Sequence, residues 1–400
     1  MLSFFVYGGL HSACTAFVFS RTLSSMAGIY LHIPFCKQAC HYCDFHFTTS
    51  QRGKPELLDA MLREIDLRKE EMSGQVIDTI YFGGGTPSLL THSELMRFFD
   101  AIYSRFEVNP TAEITLEANP DDLSKTQLKM FRDTPVNRFS IGIQSFREQD
   151  LKSMNRAHTS AQAERCTLDA ADAGFENLSV DLIFGLPDLS MEAWMENVKM
   201  ALALPITHVS CYGLTIEPKT ALAWQINKGM VKIPDDELAA EQYQWLLDMA
   251  EDSGFPWYEI SNFAQPGFES KHNTSYWKGI PYFGIGPSAH SFDGKTRSWN
   301  VSSNAVYVKE MQEGRRAAET ESLDESGRFH ELVLTSLRVR NGLSVTDIRS
   351  IYGNEVYRSL LEAAQGYIEQ DWLIHRDDRL KLSRQGLLFA DKITSDLFVI

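Results

Sequence analysis

Three cysteines fall close together in the chain, in the run Cys36-Lys37-Gln38-Ala39-Cys40-His41-Tyr42-Cys43. A loop with this spacing can bring three thiolates onto one face of a cubane iron–sulfur cluster. Three protein ligands leave the fourth iron open. An open position is where a metal centre does chemistry, whereas a site closed by four protein ligands is structural. The spacing also suits zinc, with His41 or His46 as the fourth ligand. The other cysteines, Cys14, Cys166 and Cys211, are scattered. That is no secreted disulfide framework, and in a chain of this length a local cluster points to a metal site.

The elements that must hold such a loop are legible as a βα repeat. Short β-rich runs occur at 29–33, 76–82, 113–117, 138–143, 178–184 and 208–214. Between them, segments with helical spacing cover 57–71, 93–105, 123–132, 161–173 and 191–204. This alternation predicts an α/β fold with a parallel sheet and helices outside it. Six units suit an incomplete (β/α)6 barrel; a doubly wound open sheet is the alternative. The unusual residues gather where strands end. The cysteines follow the first strand and Gly83-Gly84-Gly85-Thr86-Pro87 the second. Glu117 and Asn119-Pro120 close the third strand, and Gln144 closes the fourth. Gly185-Leu186-Pro187 follows the fifth, with Asp181 just inside it, and Tyr212 and Glu217 end the sixth. Parallel βα folds build ligand sites at the carboxyl ends of their strands.

Tyr30-Leu31-His32-Ile33-Pro34-Phe35-Cys36, with Cys40 and Cys43, closely resembles the entry motif of the radical S-adenosylmethionine (SAM) superfamily, in its coproporphyrinogen-oxidase-like branch. The resemblance spans roughly residues 28–400. It implies an incomplete (β/α)6 barrel of radical SAM type and a 4Fe-4S cluster on Cys36, Cys40 and Cys43. In that family the open iron chelates SAM, and reduction of the cluster cleaves it to a deoxyadenosyl radical. The resemblance also implies SAM contacts residue by residue. Gly84, Gly85 and Thr86 match the glycine-rich strand end, where missing side chains let backbone approach the ligand. Tyr42 matches an aromatic near the adenine and Tyr30 a residue near the methionyl group. Glu117, Gln144, Arg156 and Asp181 match polar contacts. Each alone is compatible with an ordinary strand-end or helix-surface role.

Within the branch, oxygen-independent coproporphyrinogen III oxidases carry a fourth cysteine two residues after the third, and a long N-terminal arm. Here Phe45 stands at that position, and at most 27 residues precede the motif. Both departures resemble the HemW-type haem chaperones instead. His272-Asn273-Thr274-Ser275-Tyr276-Trp277 also matches a motif of those proteins that is associated with haem binding. A neutral imidazole is a good axial ligand for haem iron, and aromatics can pack beside a porphyrin; the plain alternative is that His272 bonds a turn and the aromatics are core. The resemblance thus implies haem as a third cofactor, with His272 as its candidate ligand. It implies haem-accepting proteins and an electron donor as partners, with coproporphyrinogen oxidation as the alternative activity. Whether the chain is an enzyme is open, because a binding protein and an enzyme share this architecture.

Composition sets the outer bounds. The chain has 400 residues, 44% hydrophobic and 23% charged, and a formal net charge of -15. The length predicts a large domain and a smaller one, which we place at 26–300 and 310–400. The charge disfavours coating nucleic acid or an anionic membrane. No stretch is long and apolar enough to span a bilayer, and a cytoplasmic location is expected. Residues 1–25 lack a basic start and have their apolar stretch broken by Gly8, Gly9, His11 and Ser12, which fits neither a secretory signal nor a span; one arginine is too few for a transit peptide. Met26 is the expected true start. Helical spacing at 329–337 and 356–369, and a hairpin over 373–382 around Asp377-Asp378, predict a small α-rich C-terminal domain of winged-helix character. With this acidity, a wing suits a lid or partner surface better than a DNA reader.

Overall fold

The computed structural model describes residues 26–400 except Pro234; the expectations for residues 1–25 lie outside the described residues. Six parallel strands form its centre: β1 (Met26–Ile33), β2 (Val76–Gly84), β3 (Glu107–Ala118), β4 (Arg138–Gln144), β5 (Asn177–Phe184) and β6 (His208–Gly213). They pair in sequence order, each with the next. The intervening helices are α1 (Lys54–Leu67), α2 (His92–Tyr103), α3 (Lys125–Arg132), α4 (Glu148–Ser153), α5 (Ser160–Asp172) and α6 (Met191–Ala203). The expected βα repeat is therefore present, with strand boundaries shifted by a few residues and one short helix, α4, not anticipated.

The strands alternate with a period of two. Ile29, Leu31, Ile80, Phe82, Ile114, Leu116, Phe139, Ile141, Val180, Leu182 and Val209 are fully buried and belong to one continuous hydrophobic core. The opposite face is polar. It carries Tyr30 and His32, Thr79 and Tyr81, Glu113 to Glu117 at alternate positions, Arg138 and Ser140, Ser179 and Asp181, and His208 and Ser210. One face thus drives folding by burying apolar area under the helices, and the other supplies a polar interior.

Beyond β6 come α7 (Ala221–Asn227), α8 (Asp236–Asp252), β7 (Trp257–Glu259), β8 (Asn262–Ala264), α9 (Lys271–Trp277), β9 (Tyr282–Ile285), β10 (His290–Phe292), β11 (Thr296–Asn300), α10 (Asn304–Gln312) and β12 (Ala318–Ser322). β8 and β7 extend the sheet antiparallel past β6. On the other side β9 adds parallel to β1, followed by β10, β11 and β12. The two ends, β12 and β7, do not pair with each other, so the barrel stays open. The large sheet runs on to Ser322, past residue 300, because β12 pairs with β11 along its length.

The C-terminal region contains α11 (Glu325–Leu337), β13 (Leu343–Ser344), α12 (Val345–Glu369), β14 (Leu373–Arg376), β15 (Arg379–Leu382) and α13 (Ala390–Asp396), with the three strands forming a separate sheet. The expected hairpin is present: Arg376 pairs with Arg379 across Asp377-Asp378. Helix α12 is broken at Gly353, whose φ is 88°. The expected helix over 356–369 lies after that break, and the turns before it escaped the periodicity because the glycine interrupts the apolar spacing.

Candidate metal and cofactor site

The cysteine loop leaves the end of β1 and is anchored at both ends. Cys36 N–H donates to the Thr48 carbonyl (3.0 Å) and Thr48 N–H to the Pro34 carbonyl (2.7 Å), which closes the loop back on itself. In the middle, His41 N–H donates to the Met154 carbonyl (3.0 Å) and Leu222 N–H, opening α7, to the His41 carbonyl (2.8 Å). All three thiols are free and partly exposed. The Arg156 guanidinium donates to Cys40 Sγ (3.2 Å), to Asn119 Oδ1 (2.7 Å) and to the Gly142 carbonyl (2.6 Å). The Thr86 hydroxyl oxygen accepts from Asn119 Nδ2 (3.2 Å). Burial raises the Cys36 thiol and pushes Cys43 up to about 11. A cluster iron held there would draw off those protons, as coordination does. Free thiols on one anchored loop, with a guanidinium against Cys40, fit a thiolate-ligated cluster.

Each candidate fourth zinc ligand has one ring nitrogen already bonded. His41 Nδ1 bonds the Ser153 carbonyl (2.7 Å), and His46 Nε2 bonds Asn304 Oδ1 (2.7 Å). Among the described residues no three His, Cys, Asp or Glu side chains converge around a single ion.

The strand ends bring the polar residues together beside the loop. Glu117 accepts from the Tyr81 hydroxyl (2.8 Å) and from Gly84 N–H (3.1 Å). Burial lifts its carboxyl to about 7, opposed by these bonds. Asp181 accepts from Ser140 Oγ (3.2 Å), and burial lifts it to about 6 despite bonds from Ser210 and Ser140. Gln144 sits at φ 69°, where β4 and β5 shift register between Gly142 and Gln144. A non-glycine residue held there is strained, and the shift turns the last side chain of β4. Tyr30 donates to or accepts from His32 Nδ1 (3.2 Å) and lies against Tyr81, ring centroids 6.0 Å apart. Tyr42 lines a cavity of about 320 Å³ with His41, Leu186, Leu214, Leu222 and Met230.

The glycines of the second strand end are closely packed where a side chain would stand. A Cβ on Gly84, at φ 101°, would lie 2.6 Å from the His32 ring, and one on Gly85 would lie 2.7 Å from the Ile33 carbonyl. They allow the ends of β1 and β2 to close on each other, so a ligand there would meet their backbone. His272 is only 2% exposed, with Nδ1 bonded to Thr79 Oγ1 (2.7 Å) and Nε2 to the Tyr276 hydroxyl (2.8 Å). Burial holds its ring neutral, lowering it to about 3. That is the protonation state a ligand needs, but neither nitrogen is open in this conformation. The ring lies beside Gly28 and Thr79, at the start and middle of their strands, away from the cysteine end. Glu113 accepts from Lys271 and His272 N–H at the start of α9 and fixes the motif there. Trp277 packs under the Arg338 guanidinium, 5.4 Å from its ring centre.

Several residues of this interior carried no motif signal. Tyr81, Ser140, Ser210 and Arg138 are found only by following alternate positions along strands whose other face is apolar.

The described residues contain no helix long and apolar enough to cross a membrane. The radical SAM superfamily model matches residues 30–201. The heme chaperone HemW of Mycobacterium tuberculosis is 34% identical over 375 residues, covering 92% of this chain and 94% of that protein. The heme chaperone HemW of Bacillus subtilis is 34% identical over 372 residues, covering 92% and 98%. Among solved structures, Escherichia coli coproporphyrinogen III oxidase, HemN, described as a radical SAM enzyme, superposes with a TM-score of 0.82 over 94% of this chain and 90% of that one, at 21% identity, a likeness of fold. With near-complete coverage at this identity, the chain belongs to the radical SAM superfamily, in the family of the HemW haem chaperones.

Proposed function

We propose that this protein is a haem chaperone that carries a 4Fe-4S cluster on Cys36, Cys40 and Cys43, binds SAM across the strand ends and passes haem to acceptor proteins. The observation that carries the reading is the Arg156 guanidinium, which ties the Cys40 sulfur to the ends of the third and fourth strands at Asn119 and Gly142. These cysteines would hold the cluster, which, once reduced by an electron donor, would supply electron transfer to SAM. The chain's own residues do the positioning. Arg156 offsets thiolate charge. Glu117, Gln144 and Asp181 offer acceptors and donors to the amino-acid end of SAM, and Tyr30 and Tyr42 offer ring faces. Phe45, 68% exposed, stands where the oxidases have a further cysteine. We assign His272 to haem only in a conformation in which the Tyr276 hydroxyl withdraws. The two units divide, in this reading, after the large sheet ends at Ser322, and the location is cytoplasmic.

The test is anaerobic reconstitution with iron and sulfide, followed by haem titration and by a turnover assay with coproporphyrinogen, SAM and reductant. The expected outcome is a brown protein whose iron is lost in Cys36→Ala, Cys40→Ala or Cys43→Ala, which binds haem, and which yields no protoporphyrinogen. Stoichiometric zinc without sulfide would end the cluster assignment. Efficient protoporphyrinogen formation would replace the chaperone reading with the oxidase.

A further inference from the structure

The polar interior holds a group that none of these roles uses. Arg138 opens β4 and is 1% exposed. Its Nε has no hydrogen-bond partner among the described residues, and neither does Oγ1 of Thr115. Thr115 is the β3 residue in register with Arg138, so the two side chains share a face. The carboxylates that feel the Arg138 charge are bonded elsewhere: Glu117 to Tyr81 and Gly84, and Asp181 to Ser140. The histidines around it are neutral and satisfied. His208 bonds Ser179 Oγ (2.7 Å) and the Tyr258 hydroxyl (2.8 Å), and His272 bonds Thr79 and Tyr276. Burial together with the Arg138 charge keeps both rings unprotonated.

A buried guanidinium N–H without a bonded partner is costly, and folded proteins rarely leave one so. Its planar fork matches a carboxylate. A neighbouring hydroxyl adds a donor for the same oxygens. We propose that Arg138 and Thr115 form a carboxylate-binding site in the barrel interior, and that the carboxylate it takes is a propionate of the haem. The first half stands on the unpartnered pair. The second rests on the haem-chaperone reading, since haem carries two propionates and the same fork would equally take a small free carboxylate.

The experiment uses the full-length, anaerobically reconstituted protein. Haem and haem dimethyl ester, in which both propionates are masked, are titrated into wild type, Arg138→Gln and Thr115→Val. In parallel, the thermal midpoint of each is followed against sodium propionate, with sodium chloride as the ionic control. Wild type should prefer haem over its ester by about tenfold or more, the scale of a charge-assisted bond, and should be stabilised by propionate. Arg138→Gln should lose both the preference and the stabilisation. Thr115→Val removes a hydroxyl that bonds nothing, so it should fold as wild type and show a smaller loss of preference; it keeps the test open should Arg138→Gln misfold. Stabilisation by propionate without haem binding would sustain the carboxylate site and sink the haem reading. Equal affinity for haem and ester, together with no propionate effect in wild type, would overturn the proposal and leave Arg138 solvated by internal water.

Discussion

Arg156 concentrates more contacts on the candidate site than any other side chain described above. Its guanidinium makes three bonds, to sulfur, amide and carbonyl, and lysine offers one compact charge without the fork. We predict that Arg156→Lys folds and keeps its three cysteines, yet binds SAM about tenfold to hundredfold more weakly, the range of one or two lost charge-assisted bonds. Equilibrium binding to reconstituted protein measures this, and unchanged affinity would detach Arg156 from the ligand. Tyr276 offers the corresponding test at the other end of the interior. Its hydroxyl closes Nε2 of His272. Tyr276→Phe opens that nitrogen at nearly constant volume, so haem affinity should rise and the Soret band should move toward a histidine-ligated form. His272→Ala should abolish the change. If Tyr276→Phe leaves the spectrum and affinity as they were, His272 is a packing residue of α9.

At the level of elements, the strand ends matter because register shifts there aim side chains. The clearest case is Gln144, held at φ 69° where β4 slips against β5. Glycine adopts this region without the steric cost that glutamine bears. Gln144→Gly should therefore melt within a few degrees of wild type, or above it, while SAM affinity falls. A large loss of thermal stability with SAM binding intact would reverse the assignment and make Gln144 structural. Gly84 is unsuited to such a test. A side chain there collides with the His32 ring, so a substitution would disturb the junction of β1 and β2 before it reached any ligand.

For the molecule as a whole, the polar interior predicts a definite dependence of stability on pH. His32 and His158 are each lowered to about 4, His272 to about 3, and His208 falls well below its ordinary value, all chiefly through burial. Their contribution is complete above about pH 6.5, the unfolded value, and is lost as pH falls through the folded values. Glu117 and Asp181 act in the opposite sense. They are raised to about 7 and about 6, so their contribution is present below about pH 4 and is lost as pH rises through those values. His290 is lowered as well, and Asp122, Asp150 and Glu259 are raised with Glu117 and Asp181, all chiefly through burial. From about pH 4.5 to 6 the histidines and the carboxyls oppose each other; above about 6.5 only raised carboxyls remain and stability declines. The thermal midpoint should fall above about pH 6.5, and Glu117→Gln should flatten that fall. A midpoint still climbing between pH 6.5 and 7.5 in wild type would show that Glu117 is ionised in the fold at ordinary pH.

The order of strands and helices was legible in the sequence because apolar period and turn residues are local. The cysteine spacing was legible because the three thiols share one short loop. The unusual residues at the strand ends were also visible, since βα connections place every carboxyl end on one side of the sheet. What each side chain touches was not local. Arg156 reaches Cys40 across more than a hundred residues, and His272 meets Thr79 from a helix nearly two hundred residues on. Gly84 reads as a place for backbone to approach a ligand; that the His32 ring also closes against it is set by the neighbouring strand. Arg138 reads as an ordinary strand start until the sheet curves and buries it. Motif and periodicity determined which residues stand at the strand ends and which face inward. Only the tertiary structure decided which are already satisfied by a partner, because hydrogen bonding and burial are set by distances between segments that the sequence holds far apart.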